Sequence, residues 1–169
     1  VNPCVEPNVG GHSEGSKWPP TLGSAKPLVV DLSSLWAGPL CAHLLELLGA
    51  DVSHVESARR PDPTREVAPA FHQLLRGTRP PAVLDFIDPN DLARLRDLLL
   101  QADIVIEASR PRALEQLGID AATIVAESGR CTWVSITAYG RAHNRIGYGD
   151  DVAAAAGLLG AGPVFASDA

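Results

Sequence analysis

The chain has 169 residues, 46% of them hydrophobic and 20% charged, which suits one soluble globular domain. Its formal net charge is −6 and no Lys/Arg-rich run is present, which argues against bulk attraction to nucleic acid or to an anionic membrane surface. No apolar run reaches the ~18 residues a membrane-spanning helix needs. The opening Val1-Asn2-Pro3-Cys4 lacks the charged-then-apolar layout of a signal peptide. Cys4, Cys41 and Cys131 give neither a metal spacing nor an even disulfide set, so the expected compartment is a reducing cytoplasm.

Residues 1–27 hold five Pro and four Gly without apolar periodicity and read as an extended, flexible leader. Leu28 to Leu32 reads as a short buried strand. Ala37-Gly38-Pro39 then opens a helix through Leu44, Leu45, Leu47 and Leu48, with Pro39 suited to the first turn and Gly49 to the stop. Asp51 to Val55 is a second predicted strand. Arg59 to Gly77, with Pro61, Pro63 and Pro69, reads as loop, and His72 falls in this mobile-looking stretch. Ala82 to Phe86 is a third strand. Asp88-Pro89 starts a helix with Leu92, Leu95, Leu98 and Leu99 on one face. Asp103 to Ile106 is a fourth strand, and Pro111 to Leu117 and Ala121 to Glu127 are short helices. Cys131 to Thr137 is a fifth strand and Asp150 to Leu159 a last helix, where Asp150 and Asp151 favour the N-terminal dipole.

Apolar strands alternating with amphipathic helices predict an α/β fold, a Rossmann-like doubly wound parallel sheet covered on both faces. Ligands of such sheets sit at the carboxyl ends of the strands, where strand order reverses. No GxGxxG follows the first strand, so the fold does not here imply NAD. The five histidines show no paired spacing that suggests a metal.

Val30-Asp31-Leu32-Ser33-Ser34-Leu35-Trp36-Ala37-Gly38-Pro39 resembles the opening strand and turn of the class III CoA-transferases. That family includes formyl-CoA transferase, carnitine CoA-transferase and the alpha-methylacyl-CoA racemases. Leu48-Gly49-Ala50-Asp51-Val52, ending at Glu56, is similar to its next segment, and Asp62-Pro63-Thr64-Arg65 to its "DPTR". Arg76-Gly77-Thr78-Arg79, leading to Leu84-Asp85-Phe86, resembles "RGKRSVALDL". Ala102 to Glu107, Arg110-Pro111 and Leu114 to Gly118 together resemble "ADVLVENFRPGVLERLG", and Val134 to Gly140 resembles "SISGFG". The order and spacing of these pieces across residues 28–169 carry the resemblance, and the span reads as the N-terminal part of the family's large domain.

The resemblance implies a CoA-transferase that moves CoA between an acyl-CoA and a carboxylic acid, with coenzyme A as the substrate moiety and no permanently bound cofactor. The implied nucleophile is Asp168, after Gly162-Pro163-Val164-Phe165-Ala166-Ser167. A carboxylate is ionised at neutral pH and needs no base to activate it. In a dry site it attacks the thioester to form a mixed anhydride and expel CoA thiolate, dividing one difficult exchange into easier steps. The implied CoA contacts are Leu35, Trp36, Ala37, Ser57, Leu84, Ala108, Ser109 and Gln116. Ser57 and Gln116 stand where the family has arginines, and Ala108-Ser109 where it has Asn-Phe. Arg59, Arg60 or Arg110 are candidate replacement phosphate partners, because Arg makes paired hydrogen bonds to phosphate; the alternative for each is solvated surface charge.

The resemblance implies an interlocked homodimer whose chains are much longer than this one. This chain is therefore expected to be a fragment, half of a split enzyme or a decayed relative, and to act as a homo-oligomer or beside a complementary chain. A second reading is a non-catalytic remnant or assembly subunit. A racemase ranks below the transferase, since that chemistry needs a His–Asp pair, and Gly147-Tyr148-Gly149-Asp150-Asp151 has no His where the family has "GHD".

Overall fold

The computed structural model describes residues 26–157. The expectations for the leader 1–25, for the stretch 158–169 and for Asp168 lie outside these residues. Five strands, β1 (Leu28–Asp31), β2 (Asp51–Ser57), β3 (Ala82–Leu84), β4 (Ile104–Glu107) and β5 (Thr132–Ser135), form one sheet in the order β3-β2-β1-β4-β5. All paired strands are parallel, with Val30 opposite Ser53 on one side and Val105 on the other. The predicted doubly wound α/β sheet is what forms.

Alternation along β1 decides the two layers. Val30 joins a core with Leu84, Leu95, Leu99, Val105 and Ile124, under α4 (Pro89–Gln101) and α6 (Ala121–Ser128). Val29 joins a second core with Ala42, Ala50 and Ile106, under α1 (Ala37–Leu47). Both valines are fully buried, so β1 is a central strand covered on both faces. Asp88 caps α4 by accepting from the Asn90 amide at 2.7 Å, with Pro89 at the first helical position. Asp120 caps α6 through the Thr123 amide, and Gly129 ends that helix in the left-handed conformation. These hydrogen bonds from Thr123 pull the Asp120 carboxyl below its usual range.

The expected loop at 59–77 is a correction. It folds into α2 (Thr64–Val67) and α3 (Pro69–Arg76). Its prolines start helices rather than break them: Pro63 is the residue before α2, and Pro69 sits in the first turn of α3. His72 is therefore on a helix, where its Nδ1 meets Thr64 Oγ1 at 2.9 Å. The remaining elements are α5 (Pro111–Glu115) and α7 (Gly149–Ala155), both shorter than read from sequence. Of the two acids in the first turn of α7, Asp151 takes the capping place, with the Tyr148 amide donating to its Oδ1 at 2.5 Å. Among the described residues no helix is long and apolar enough to cross a membrane.

Candidate functional site

Strand order reverses between β1 and β4. From β1 the chain leaves to β2 on one side, and β3 returns to β4 on the other. The loops after β1 and β4 thus face each other across the crevice where ligands of open α/β sheets bind. Each of these strands ends in a buried acid, Asp31 at 0% exposure and Glu107 at 2%. Buried carboxylates need charged or hydrogen-bonding partners, and each has its own set.

Asp31 Oδ1 accepts from the Ser33 amide at 2.9 Å and from the Ser33 hydroxyl at 2.5 Å. Its other oxygen pairs with the guanidinium of Arg76, at the end of α3. The same guanidinium donates to the Ser33 carbonyl at 2.6 Å and lies 3.7 Å from the Asp62 carboxylate. His54, on β2, donates through Nδ1 to the Asp31 carbonyl at 3.2 Å, the role that a carbonyl acceptor dictates. Burial pushes the His54 pKa down, and the Arg76 charge pushes it further. Burial and the Arg65 charge do the same to His72.

Asp62 ties this cluster to the loop after β1. One of its oxygens accepts from the Leu35 amide at 3.2 Å, and the other from the Thr64 amide and hydroxyl at 3.0 and 2.7 Å. Burial alone raises the Asp62 pKa. The bonds from Thr64 and Leu35, with the Arg76 charge, outweigh it and hold the carboxyl below the usual range. Behind it Glu56 accepts from the Asp62 amide and pairs with Arg65 at 2.7 Å. Leu35 has φ +70°, the only positive φ among the described non-glycine residues. That conformation disfavours a side chain by roughly 1–2 kcal/mol. Gly38, one turn on, packs so tightly that an added Cβ would lie 2.0 Å from Ser33 Oγ. The loop is held from both ends, and Trp36 also meets Phe71 of α3 edge-on, with ring centroids 6.0 Å apart.

The sequence-derived contacts distribute as follows. Leu35, Trp36 and Ala37 are exposed on the loop after β1 and at the start of α1. Ala108, exposed, and Ser109, half-buried, follow β4. Ser109 donates amide and hydroxyl to Glu107, at 3.0 and 2.7 Å. The fold brings these two groups to one crevice. Ser57 ends β2, and its hydroxyl accepts from the Arg59 amide at 3.3 Å. Arg59 and Arg60 are exposed beyond it. The Arg59 guanidinium grips Asp85 with two bonds of 2.8 and 2.9 Å, which lower the Asp85 pKa. Arg110 and Gln116 are exposed at the two ends of α5. The Leu84 side chain is 1% exposed and belongs to the core. Sequence reading takes Asp62 and Arg76 only as motif letters. The signal for a structural part is Asp31 itself, an acid closing an apolar strand, which needs a buried cation somewhere in the chain.

The model of the family described as CoA-transferase family III matches residues 27–163. The chain belongs to CoA-transferase family III. It is 29% identical over 150 residues to an acyl-CoA transferase of Fusarium pseudograminearum, covering 78% of this chain and 33% of that one. It is 33% identical over 142 residues to a probable fatty acyl-CoA transferase of Mycobacterium tuberculosis, covering 72% and 34%. The crystal structure of a CAIB/BAIF family protein from Brucella suis superposes with a TM-score of 0.62 at 31% identity, over 78% of this chain and 38% of that one. The chain thus spans about a third of the length of the curated relatives it matches. In family III terms, its described residues are the parallel sheet with the crevice loops after β1 and β4.

Proposed function

We propose that this chain supplies the CoA-binding layer and the nucleophile of a family III CoA-transferase, acting with further polypeptide, either a second copy or a complementary chain. The observation that carries the CoA-transferase part of the reading is the family match across residues 27–163; Asp168 lies beyond that span, and its role rests on the motif resemblance alone. The crevice is consistent with it. The start of α1 has no side-chain cap, which leaves amide donors and the positive end of the helix dipole for an anionic ligand. Arg59, Arg60 and Arg110 stand nearby in sequence to the strand ends as phosphate partners.

In the proposed reaction the Asp168 carboxylate attacks the thioester carbonyl. The C–S bond breaks and CoA leaves as thiolate, giving an aspartyl mixed anhydride. The thiolate then attacks the aspartyl carbonyl, releasing the first carboxylate and leaving an aspartyl CoA thioester. The acceptor carboxylate repeats the two steps in reverse and departs as the new acyl-CoA. Each tetrahedral step needs oxyanion donors.

A second reading, a non-catalytic assembly subunit, is favoured by Ser57 and Gln116, which cannot pair with phosphate as arginines do. One experiment separates the two. The full chain, alone and mixed with a longer family member, is incubated with acyl-CoA and hydroxylamine, and the C-terminal peptide is examined by mass spectrometry. A hydroxamate on Asp168 that disappears in Asp168→Asn supports the transferase. An adduct on Asp150 or Asp151, or turnover that survives Asp168→Asn, removes Asp168 from the role. No adduct under any complementation favours the assembly subunit.

A further inference from the structure

The exposed turn at Leu35 stands in a conformation its own side chain disfavours, so something outside it must hold it there. That holder is visible. The Leu35 amide gives its hydrogen to a carboxylate oxygen of Asp62, 27 residues away. Asp62 is itself 3% exposed and fixed by Thr64 and by the charge of Arg76. Arg76 also binds the Ser33 carbonyl, two residues before Leu35. The pull on the turn therefore comes from a buried acid with several partners of its own rather than from the turn itself.

We propose that Asp62 is a positioning residue: it fixes the left-handed turn at Leu35 and so presents Leu35, Trp36 and Ala37 to the CoA moiety. The inference rests on the reading of this loop as CoA-binding. Asp62 touches no ligand in this role. It acts by keeping the turn preformed, so that binding does not have to order it. Loss of that hold lets Leu35 relax to negative φ, which moves Trp36 off the Phe71 ring and misaligns the first amides of α1.

The test is a double-mutant cycle between Asp62→Ala and Leu35→Gly in the full chain, with two readouts. Glycine takes positive φ without a Cβ penalty, so it makes the holder less necessary. Amide hydrogen exchange at residue 35 reads the turn, and calorimetric titration with coenzyme A reads the consequence. Asp62→Ala is expected to speed exchange at Leu35 and weaken CoA binding by about tenfold, the loss set by the penalty at positive φ. With Leu35→Gly present, the same substitution should change affinity much less. Asp62→Asn provides a second variant of unchanged size. Its single carbonyl oxygen cannot serve Leu35 and Thr64 together, so it should shift both readouts in the same direction, to a smaller extent. Unchanged exchange at Leu35 in both variants overturns the proposal. So does faster exchange with unaltered affinity, or an equal loss of affinity with and without Leu35→Gly, which would mark Asp62 as a general stabiliser. If the unsubstituted chain takes up no coenzyme A, alone or with a complementary family member, the CoA reading fails and the binding part of this inference falls with it. The exchange readout still decides whether Asp62 holds the turn.

Discussion

Arg76 and Asp31, 45 residues apart, form an ion pair whose side chains are 7% and 0% exposed. Arg76 belongs to a helix that the prolines of 59–77 hide from sequence reading, and Asp31 to the first strand that reading finds. The pair joins α3 to the carboxyl end of β1, beside the crevice.

Removing one partner of such a pair leaves an uncompensated buried charge, which costs about 3–5 kcal/mol. Arg76→Ala should destabilise the fold by that order in urea unfolding. Arg76→Lys keeps the charge and loses the fork that reaches both Asp31 and Ser33, so it should fall between Ala and the native residue. Equal stability of the Ala variant would show that Asp31 finds another partner, and would refute the role given to Arg76.

The two depressed histidines set a pH dependence. Their folded pKa values lie below the ordinary 6.5. Well above 6.5 both rings are neutral in folded and unfolded chains alike. As the pH falls through 6.5 the unfolded chain takes up protons that the folded chain resists, so stability declines until the folded pKa values are passed. Asp62 adds a second decline at lower pH. Its folded pKa lies below 3.8, so its contribution is present above that value and is lost as the pH falls through the folded pKa. Melting temperature measured from pH 8 to pH 5 should therefore drop, and His54→Gln should flatten the slope whatever it does to the absolute value. A slope unchanged by both His54→Gln and His72→Gln would contradict the assignment.

Arg59 lies just beyond the end of β2, and both of its bonds to Asp85 are at the surface. Exposed pairs contribute little to stability. Asp85→Asn should therefore leave the fold intact while freeing Arg59 for phosphate. Coenzyme A affinity should rise by a few-fold, roughly what one released surface charge gives at low salt, and the gain should vanish at high salt. Adding Arg59→Ala should abolish the difference in affinity between the native chain and the Asp85→Asn variant. Weaker binding in Asp85→Asn would mean instead that Asp85 holds Arg59 in its binding pose.

Local pattern and tertiary contact contributed different parts of this protein. The central strands at Leu28 and Ile104 are the most legible, because a parallel strand covered on both faces must be a short apolar run, and that rule acts on neighbours in sequence. The helix start at Asp88 is local for the same reason, the acid serving an amide two residues on. The site is legible only as a resemblance of motifs. Composition cannot place α2 and α3, because proline both breaks a helix and begins one, and the choice depends on what the helix packs against. Likewise Leu84, a candidate contact by motif, is buried by the layer of helices over it. Asp31 with Arg76, and Leu35 with Asp62, are pairs separated by 45 and 27 residues. Their meeting is decided by the sheet order β3-β2-β1-β4-β5, which brings distant chain segments to one edge of the crevice and there turns a motif acid into the support of a strained turn.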